Sequence, residues 1–251
     1  MPEDPRTRFG PVAANYAVAT YHTDPAHLDE IVNLARPQPD ELVLDVATGT
    51  GNAAFASAPF ARRVVGVDLT PQMLAQAHRL ARERGLANVS WVNADAHRLP
   101  FADACFDVYT ARAAPHHFAD LQGALLEAAR VIRPGGRVCL VDCSPPPEVA
   151  EVLHEIEIRR DPSHVRSRSL DEWTALLERA GLEVESAERR ELFWAFDDWM
   201  DNMAVPQATR LALESLVEKS PAPALAALRP ERREGRLHHA YWHALIRARR
   251  Q

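Results

Sequence analysis

Residues 43–51 read VLDVATGTG, and they carry the clearest indication of the fold. An apolar, strand-like run leads into a turn that contains Gly49 and Gly51, and a helical segment follows. Glycine permits a ligand to approach the backbone closely, and the start of the next helix favours a carboxylate or a phosphate group. The stretch therefore predicts a ligand-binding strand–turn–helix unit. The kind of ligand stays open at this point, because Gly49-x-Gly51-x-x-Ala54 also fits the loose form of the dinucleotide fingerprint.

The rest of the chain alternates short β-branched runs with amphipathic helical stretches. Strands are predicted at residues 42–46, 63–67, 89–92, 106–110, 137–141, 183–189 and 237–246. This alternation is typical of a doubly wound α/β fold, in which helices cover both faces of a parallel sheet. We expect residues 1–36 to form an N-terminal cap segment and residues 37–251 the main domain, with residues 193–235 as an inserted helical lid.

Composition and charge narrow the class of protein. The 251 residues, 47% of them hydrophobic, suffice for one large α/β domain. The net charge is −6 and paired arginines alternate with acids, which disfavours a nucleic-acid partner. No apolar run approaches the roughly 20 residues of a membrane span, and residues 1–10 do not resemble a signal peptide, so we expect a cytoplasmic protein. The cysteines lack Cys-x-x-Cys spacing, and we expect no metal ion.

Acidic residues stand at the ends of three predicted strands. Asp45 suits a ligand with a positively charged ammonium group, whereas a pyrophosphate would be repelled there. Asp68 is placed to accept hydrogen bonds from a ribose diol. Asp95 follows the third strand, where it could accept a hydrogen bond from an adenine amino group. Together these positions favour a nucleoside ligand that carries a cationic group.

Four motifs occur in order and at suitable spacing: VLDVATGTG at 43–51, VDLTPQML at 67–74, NADAHRLPF at 93–101 and RVIRPGG at 130–136. With them the chain resembles the class I S-adenosylmethionine-dependent methyltransferases, in the small-molecule branch that includes the ubiquinone and menaquinone biosynthesis C-methyltransferases. The resemblance implies a Rossmann-like, mostly parallel seven-stranded sheet with an antiparallel last strand and a helical cap. It also implies S-adenosylmethionine as cofactor, S-adenosylhomocysteine as product and a small-molecule methyl acceptor.

The family's cofactor residues carry over to matching positions of this sequence. The resemblance assigns the methionine part of the cofactor to the loop that contains Asp45, Gly49 and Gly51, and Ala47 stands where many relatives have a glycine. The remaining assignments are Asp68 to the ribose, Leu69, Asp95 and Ala96 to the adenine, and Ala111 and Arg112 to the amino group of the cofactor.

Two neighbouring histidines are the candidates for catalysis. His116 and His117 follow the fourth strand, at the edge of the sheet where ligands bind, and a histidine is the usual general base near neutral pH. We favour His117 slightly, although a histidine pair here also fits a scaffold role. Candidate substrate contacts lie in the flanking segments, at Tyr16, Tyr21, His164 and Trp194.

Two other functions stay open. The first is an S-adenosylmethionine-binding protein that catalyses a reaction other than methylation. The second is a nicotinamide-dependent oxidoreductase with the same glycine turn. Asp45 and Asp95 disfavour this function, and the sequence lacks the Tyr-x-x-x-Lys pair that it would need. The methyl acceptor, the methylated atom (C, O or N) and the oligomeric state do not follow from the sequence.

Overall fold

The computed structural model describes residues 2–251, within which eight strands form one sheet. The strands are β1 (Leu42–Val46), β2 (Arg63–Asp68), β3 (Val89–Asn93), β4 (Phe106–Arg112), β5 (Ile132–Cys143), β6 (Leu182–Ala195), β7 (Glu231–Arg233) and β8 (Arg236–Arg250). Their order is β3-β2-β1-β4-β5-β8-β6, and β7 pairs with β8. Strands β1–β5 are parallel, whereas β8 is antiparallel to β5 and β6. The predicted mostly parallel sheet with an antiparallel last strand is confirmed, and β7 is a short addition.

Helices connect and flank these strands. They are α1 (Pro5–Phe9), α2 (Ala13–Val18), α3 (Thr20–Thr23), α4 (Pro25–Ala35), α5 (Asn52–Ser57), α6 (Pro71–Glu83), α7 (Leu121–Val131), α8 (Pro147–Arg160), α9 (Leu170–Arg179), α10 (Phe196–Asp201), α11 (Gln207–Glu218) and α12 (Ala222–Leu228). Helix α4 begins at Pro25, where the side chain of Asp24 caps it by accepting a hydrogen bond from the backbone N–H of Ala26 at 2.8 Å. Among the described residues, no helix combines the length and the apolar character that crossing a membrane requires.

Apolar side chains fill both faces of the sheet, as expected for a doubly wound fold. On one face, α7 and α9 pack on the central strands through a large cluster that includes Leu125 and Trp173. On the other face, Ile31 of α4 and Ala54 of α5 pack against the same strands. A third cluster joins α8 and α10–α12 to one end of β8, where Leu237 and Tyr241 are buried. These helices stand beside the end of the sheet at which β5 terminates.

The last long strands extend beyond their predicted bounds. Strands β6 and β8 pair from Leu182 with Arg250 to Ala195 with His238, although the sequence predicts strands only at 183–189 and 237–246. The prediction that the helical insertion begins at residue 193 is therefore wrong at its start: residues 193–195 belong to β6, because their backbone pairs with β8. The helices α10–α12 do lie within the expected segment.

The topology places a crevice at one edge of the sheet. Strand β1 lies between β2 and β4, so the order of the strands reverses at β1. In an open α/β sheet, such a reversal leaves room for a ligand beyond the carboxyl ends of the strands. The loops after β1, β2 and β4 meet at this place.

Candidate active site

A cavity of about 350 Å³ lies at the carboxyl ends of the central strands. The loop after β1, the residues that follow β2, β3 and β4, and parts of α1 and α2 form its walls. The lining includes most of the residues that the resemblance assigns to the cofactor: Asp45, Ala47, Gly49, Asp68, Leu69, Asp95, Ala96 and Arg112. The fold therefore brings together groups that lie as far apart in sequence as Asp45 and Arg112. Gly51 and Ala111 do not line this cavity.

Asp45 is a buried carboxylate held by two hydroxyl groups. Thr48 Oγ1 donates to its Oδ2 at 2.5 Å, and Thr110 Oγ1 donates to its Oδ1 at 2.7 Å. Burial raises the pKa of Asp45 to about 6, while these two hydrogen bonds act in the opposite direction. A cation in the cavity would favour the ionised form of this carboxylate.

Asp68 connects the end of β2 to the glycine loop. Its two carboxylate oxygens accept hydrogen bonds from the backbone N–H groups of Gly49 and Thr70, each at 2.8 Å. Its burial raises the pKa of the carboxyl. A carboxylate oxygen can accept more than one hydrogen bond, so Asp68 keeps acceptor capacity toward the cavity that it lines.

The two glycines of the loop have different tasks. Gly49 has a φ of +55°, and a Cβ added there would have no atom within 4 Å, so the space beside it is open. Gly51 has a φ of +89°, and an added Cβ would lie 2.7 Å from Trp91 and 2.8 Å from Phe55. Gly51 therefore leaves room for Trp91 and Phe55 to pack behind the loop. Ala47 also adopts a left-handed conformation, with a φ of +53°.

Two buried polar atoms of the cavity wall have no hydrogen-bond partner among the described residues. They are Oδ1 of Asn52 and Nε of Arg112. Arg112 also donates through Nη2 to the backbone oxygen of Tyr21 at 3.0 Å. Asp95 is half-exposed and accepts a hydrogen bond from the backbone N–H of His97 at 2.9 Å. A polar ligand in this cavity would satisfy the two unpartnered atoms.

A second, smaller cavity of about 50 Å³ adjoins the first. Both cavities are lined by the same five residues: Phe9, Tyr16, His22, Ala113 and His117. Tyr21 and Trp194, two predicted substrate contacts, line only the second cavity, and Tyr16 lines both. The fourth, His164, lines neither; it is buried, and neither of its ring nitrogens has a hydrogen-bond partner among the described residues.

His116 forms a buried pair with Asp142. Its Nδ1 lies 2.5 Å from Oδ1 of Asp142, and both residues line the second cavity. Burial alone would lower the pKa of His116, but the negative charge of Asp142, with a contribution from Cys143, raises it well above the ordinary 6.5. The same three side chains place one potential metal-ligand atom each within 4.8 Å of one another. At neutral pH the electrostatics favour an imidazolium at position 116.

His117 differs from its neighbour in its contacts and its charge. Its Nδ1 lies 3.2 Å from Ser163 Oγ, and its Nε2 lies 3.8 Å from Oδ2 of Asp161. Burial, together with the positive charge of His116, lowers the pKa of His117 to about 4. The two imidazole rings have centroids 4.1 Å apart, so a charged and a neutral imidazole lie side by side.

The second cavity also contains polar residues that the sequence does not single out, among them Asp142, Glu157, Arg160 and His243. Asp142 stands at the end of β5, and the rule that selected Asp45 and Asp68 at strand ends could have found it. His243 lies in the middle of β8, where the alternating pattern gives no signal beyond burial.

Comparison with known proteins agrees with this geometry. A family model described as a methyltransferase domain matches residues 44–140. The uncharacterized methyltransferase YcgJ of Bacillus subtilis is 34% identical over 202 residues, which cover 80% of each chain. Its crystal structure superposes with a TM-score of 0.83 and covers 89% of this chain and 97% of YcgJ. The demethylmenaquinone methyltransferase of Thermus thermophilus is 45% identical over 122 residues, or 47% of this chain and 54% of that enzyme.

Proposed function

The chain belongs to the S-adenosylmethionine-dependent methyltransferases, and we propose that it transfers the methyl group of this cofactor to a small-molecule acceptor. The observation that supports the proposal is the pair of adjoining cavities with five shared wall residues. A cofactor in the larger cavity would present its reactive end to an acceptor in the smaller one. The narrow junction would limit the entry of water.

The residues of the larger cavity fit S-adenosylmethionine. The buried carboxylate of Asp45 and the unpartnered Oδ1 of Asn52 suit the cationic amino group, and the open space beside Gly49 leaves room for the methionine part. Asp68 is assigned to the ribose hydroxyls, and Asp95 with Leu69 and Ala96 to the adenine. In this assignment Gly51 and Ala111 support the loop and the strand behind the cavity without contact with the ligand.

The bound cofactor supplies a methyl group on a sulfonium, which already carries a good leaving group. The contribution of the protein is therefore to place the acceptor in line and to keep water away. The N-terminal segment, residues 1–36, is proposed as a cap, since Phe9, Tyr16 and Tyr21 line the second cavity. The helical segment that begins with α10 contributes Trp199 and is proposed as a lid; it contacts the N-terminal segment, where the Tyr16 hydroxyl donates to Met203 Sδ at 2.8 Å.

The second cavity favours an acceptor whose reacting end is small. Its 50 Å³ correspond to roughly one or two water molecules, so only the reacting group of an acceptor fits in this closed form. His116, held as an imidazolium by Asp142, is proposed to stabilise negative charge on an acceptor oxygen. His117 is neutral and directs both ring nitrogens toward residues 161–163, so we propose that it shapes the junction and positions His116.

A screen of acceptors tests the proposed function. The purified chain is incubated with S-adenosylmethionine and a panel of small phenols, enols and amines, and S-adenosylhomocysteine is quantified by mass spectrometry together with the methylated product. We expect both products in equal amounts for at least one compound. Consumption of an acceptor without formation of S-adenosylhomocysteine would contradict methyl transfer and favour the alternative of another reaction. Dialysis against a chelator, which we expect to leave the rate unchanged, tests the prediction that no metal ion is needed.

A further inference from the structure

Three side chains to which the proposed function assigns no proton transfer form a hydrogen-bonded chain at the wall of the second cavity. The hydroxyl of Tyr21 lies 2.9 Å from Nε2 of His243, and Nδ1 of His243 lies 3.4 Å from Oε2 of Glu30. Tyr21 and His243 line the cavity, and the Glu30 side chain is fully buried behind them. The three residues come from α3, β8 and α4, so only the folded chain brings them together.

The chemistry of Glu30 fixes the direction of the hydrogen bonds. Nη1 of Arg190 lies 3.1 Å from Oε1 of Glu30, and this ion pair favours the ionised carboxylate; burial raises the pKa of Glu30, but its neighbours bring it below the ordinary value. An ionised carboxylate only accepts hydrogen bonds, so the proton of His243 is on Nδ1. Nε2 then accepts the hydroxyl hydrogen of Tyr21. This order of carboxylate, imidazole and hydroxyl is the one that activates hydroxyl groups in enzymes.

We propose that Tyr21, His243 and Glu30 form a general-base relay that removes the proton from a hydroxyl group of the acceptor. This inference rests on the proposed function. The O–H bond of the acceptor breaks and its proton passes to the Tyr21 oxygen, while the proton of Tyr21 passes to Nε2 of His243. The electron pair stays on the acceptor oxygen, which attacks directly or makes a conjugated carbon nucleophilic. Glu30 stabilises the imidazolium that forms at His243.

The relay is connected to the cofactor cavity through Arg112. This arginine lines the larger cavity, donates to the backbone oxygen of Tyr21 at 3.0 Å, and places its guanidinium 4.8 Å from the centre of the Tyr21 ring. Because Tyr21 belongs to the N-terminal segment, the relay is complete only when this segment is docked on the sheet. Other charged or titratable groups also face these three residues: Arg112 on β4, Asp142 and Cys143 on β5, Arg190 on β6, Tyr241 on β8, and His27 on α4 beside the Tyr21 ring.

The experiment compares the wild-type chain with Tyr21→Phe, which removes one hydroxyl and keeps the ring. Two readouts are used: the protonated ring nitrogen of His243, by NMR of ¹⁵N-histidine-labelled protein, and the pH profile of methyl transfer to resorcinol and phloroglucinol. We expect Nδ1 to carry the proton of His243 in the wild type. We expect Tyr21→Phe to bind S-adenosylhomocysteine normally and to methylate both phenols roughly 10²–10⁴-fold more slowly. The rate of the variant should rise with pH, because the acceptor hydroxyl must then ionise without the relay.

Tyr241→Phe is the matched control, because Tyr241 lines the same cavity but donates its hydroxyl hydrogen to Glu157 at 2.7 Å. Its pH profile is expected to keep the wild-type shape. A proton on Nε2 of His243 would overturn the relay, and so would a Tyr21→Phe variant with the wild-type rate and pH profile. If the wild type methylates no hydroxyl compound, the proposed acceptor chemistry fails, whereas the proton position on His243 still decides whether the relay can operate.

Discussion

Nδ1 of His116 and Oδ1 of Asp142 lie 2.5 Å apart in the wall of the second cavity, where both side chains are nearly inaccessible to solvent. Asp142 favours a positively charged imidazole at His116, next to the neutral ring of His117. Neighbouring groups whose pKa values are driven apart have different roles in a reaction, one as a charged donor and the other as a neutral partner. We therefore expect the two histidines to have separate roles.

Asp142→Asn tests the charge on His116. The pKa of His116 is raised above its unfolded value of 6.5, so the stability that the pair contributes is fully present below pH 6.5 and is lost as the pH rises through the raised folded pKa. We expect the free energy of unfolding of the variant, measured by urea denaturation, to be about 2–4 kcal/mol lower than that of the wild type at pH 6. The difference should be smaller at higher pH. NMR titration of His116 should show a lowered pKa; an unchanged pKa would exclude Asp142 as its cause.

His117→Ala tests whether this residue is the general base. Because both ring nitrogens face residues 161–163, we expect a loss of turnover below roughly tenfold, whereas loss of a general base costs roughly 10²–10⁴-fold. Ser163→Ala removes the hydroxyl that contacts Nδ1 and serves for comparison. A hundredfold loss in a folded His117→Ala variant, with normal cofactor affinity, would restore the base role that the sequence favoured.

Asp45→Asn separates stability from cofactor binding. The folded pKa of about 6 exceeds the ordinary 3.8, so the folded state is most favoured below pH 3.8 and this advantage is lost as the pH rises through 6. At neutral pH the buried charge is a cost, and we expect Asp45→Asn to stabilise the fold by about 1–3 kcal/mol. The same change should weaken S-adenosylmethionine binding by roughly tenfold or more, because the ammonium loses its partner. Tighter binding in calorimetry would refute the assignment of Asp45.

Ala47→Gly tests the strain in the cofactor loop. The left-handed conformation of Ala47 costs an L-residue about 1–2 kcal/mol, part of which the greater freedom of unfolded glycine offsets. We expect a net gain of about 0.5–1 kcal/mol in the free energy of unfolding. Ala75→Gly, at an exposed position of α6, is the control and should lose about 1 kcal/mol. Equal losses in both variants would show that the loop carries no strain.

The first half of the fold is predictable from the sequence because its signals are local. Strand β1 has the predicted bounds, and β2 and β3 each extend one residue further, since each is a short apolar run that ends at a polar turn. Strands β6 and β8 are longer than predicted because they stabilise each other by pairing, and the charged stretch 188–191 carries no periodic signal.

The proposed cofactor side of the site could also be anticipated, since Asp45 and Asp68 lie in the last two residues of β1 and β2, and Asp95 follows β3. The acceptor side could not. Asp142 and His116 are 26 residues apart, and Glu30 and His243 are 213 residues apart, so their contact depends on the tertiary structure alone. The burial of His164 also depends on the tertiary structure. Its ring packs with its centre 5.1 Å from that of the His116 ring, and it does not line either cavity.

Calorimetric titration with S-adenosylmethionine, S-adenosylhomocysteine and NADH, on the wild-type chain and Asp68→Ala in parallel, tests whether the larger cavity binds S-adenosylmethionine. We predict micromolar binding of the two sulfur nucleosides, about −8 kcal/mol, its loss in Asp68→Ala, and no binding of NADH. Circular dichroism of Asp68→Ala confirms that the variant is folded. If a folded wild-type chain binds NADH and neither sulfur nucleoside, the larger cavity is a dinucleotide site and not an S-adenosylmethionine site.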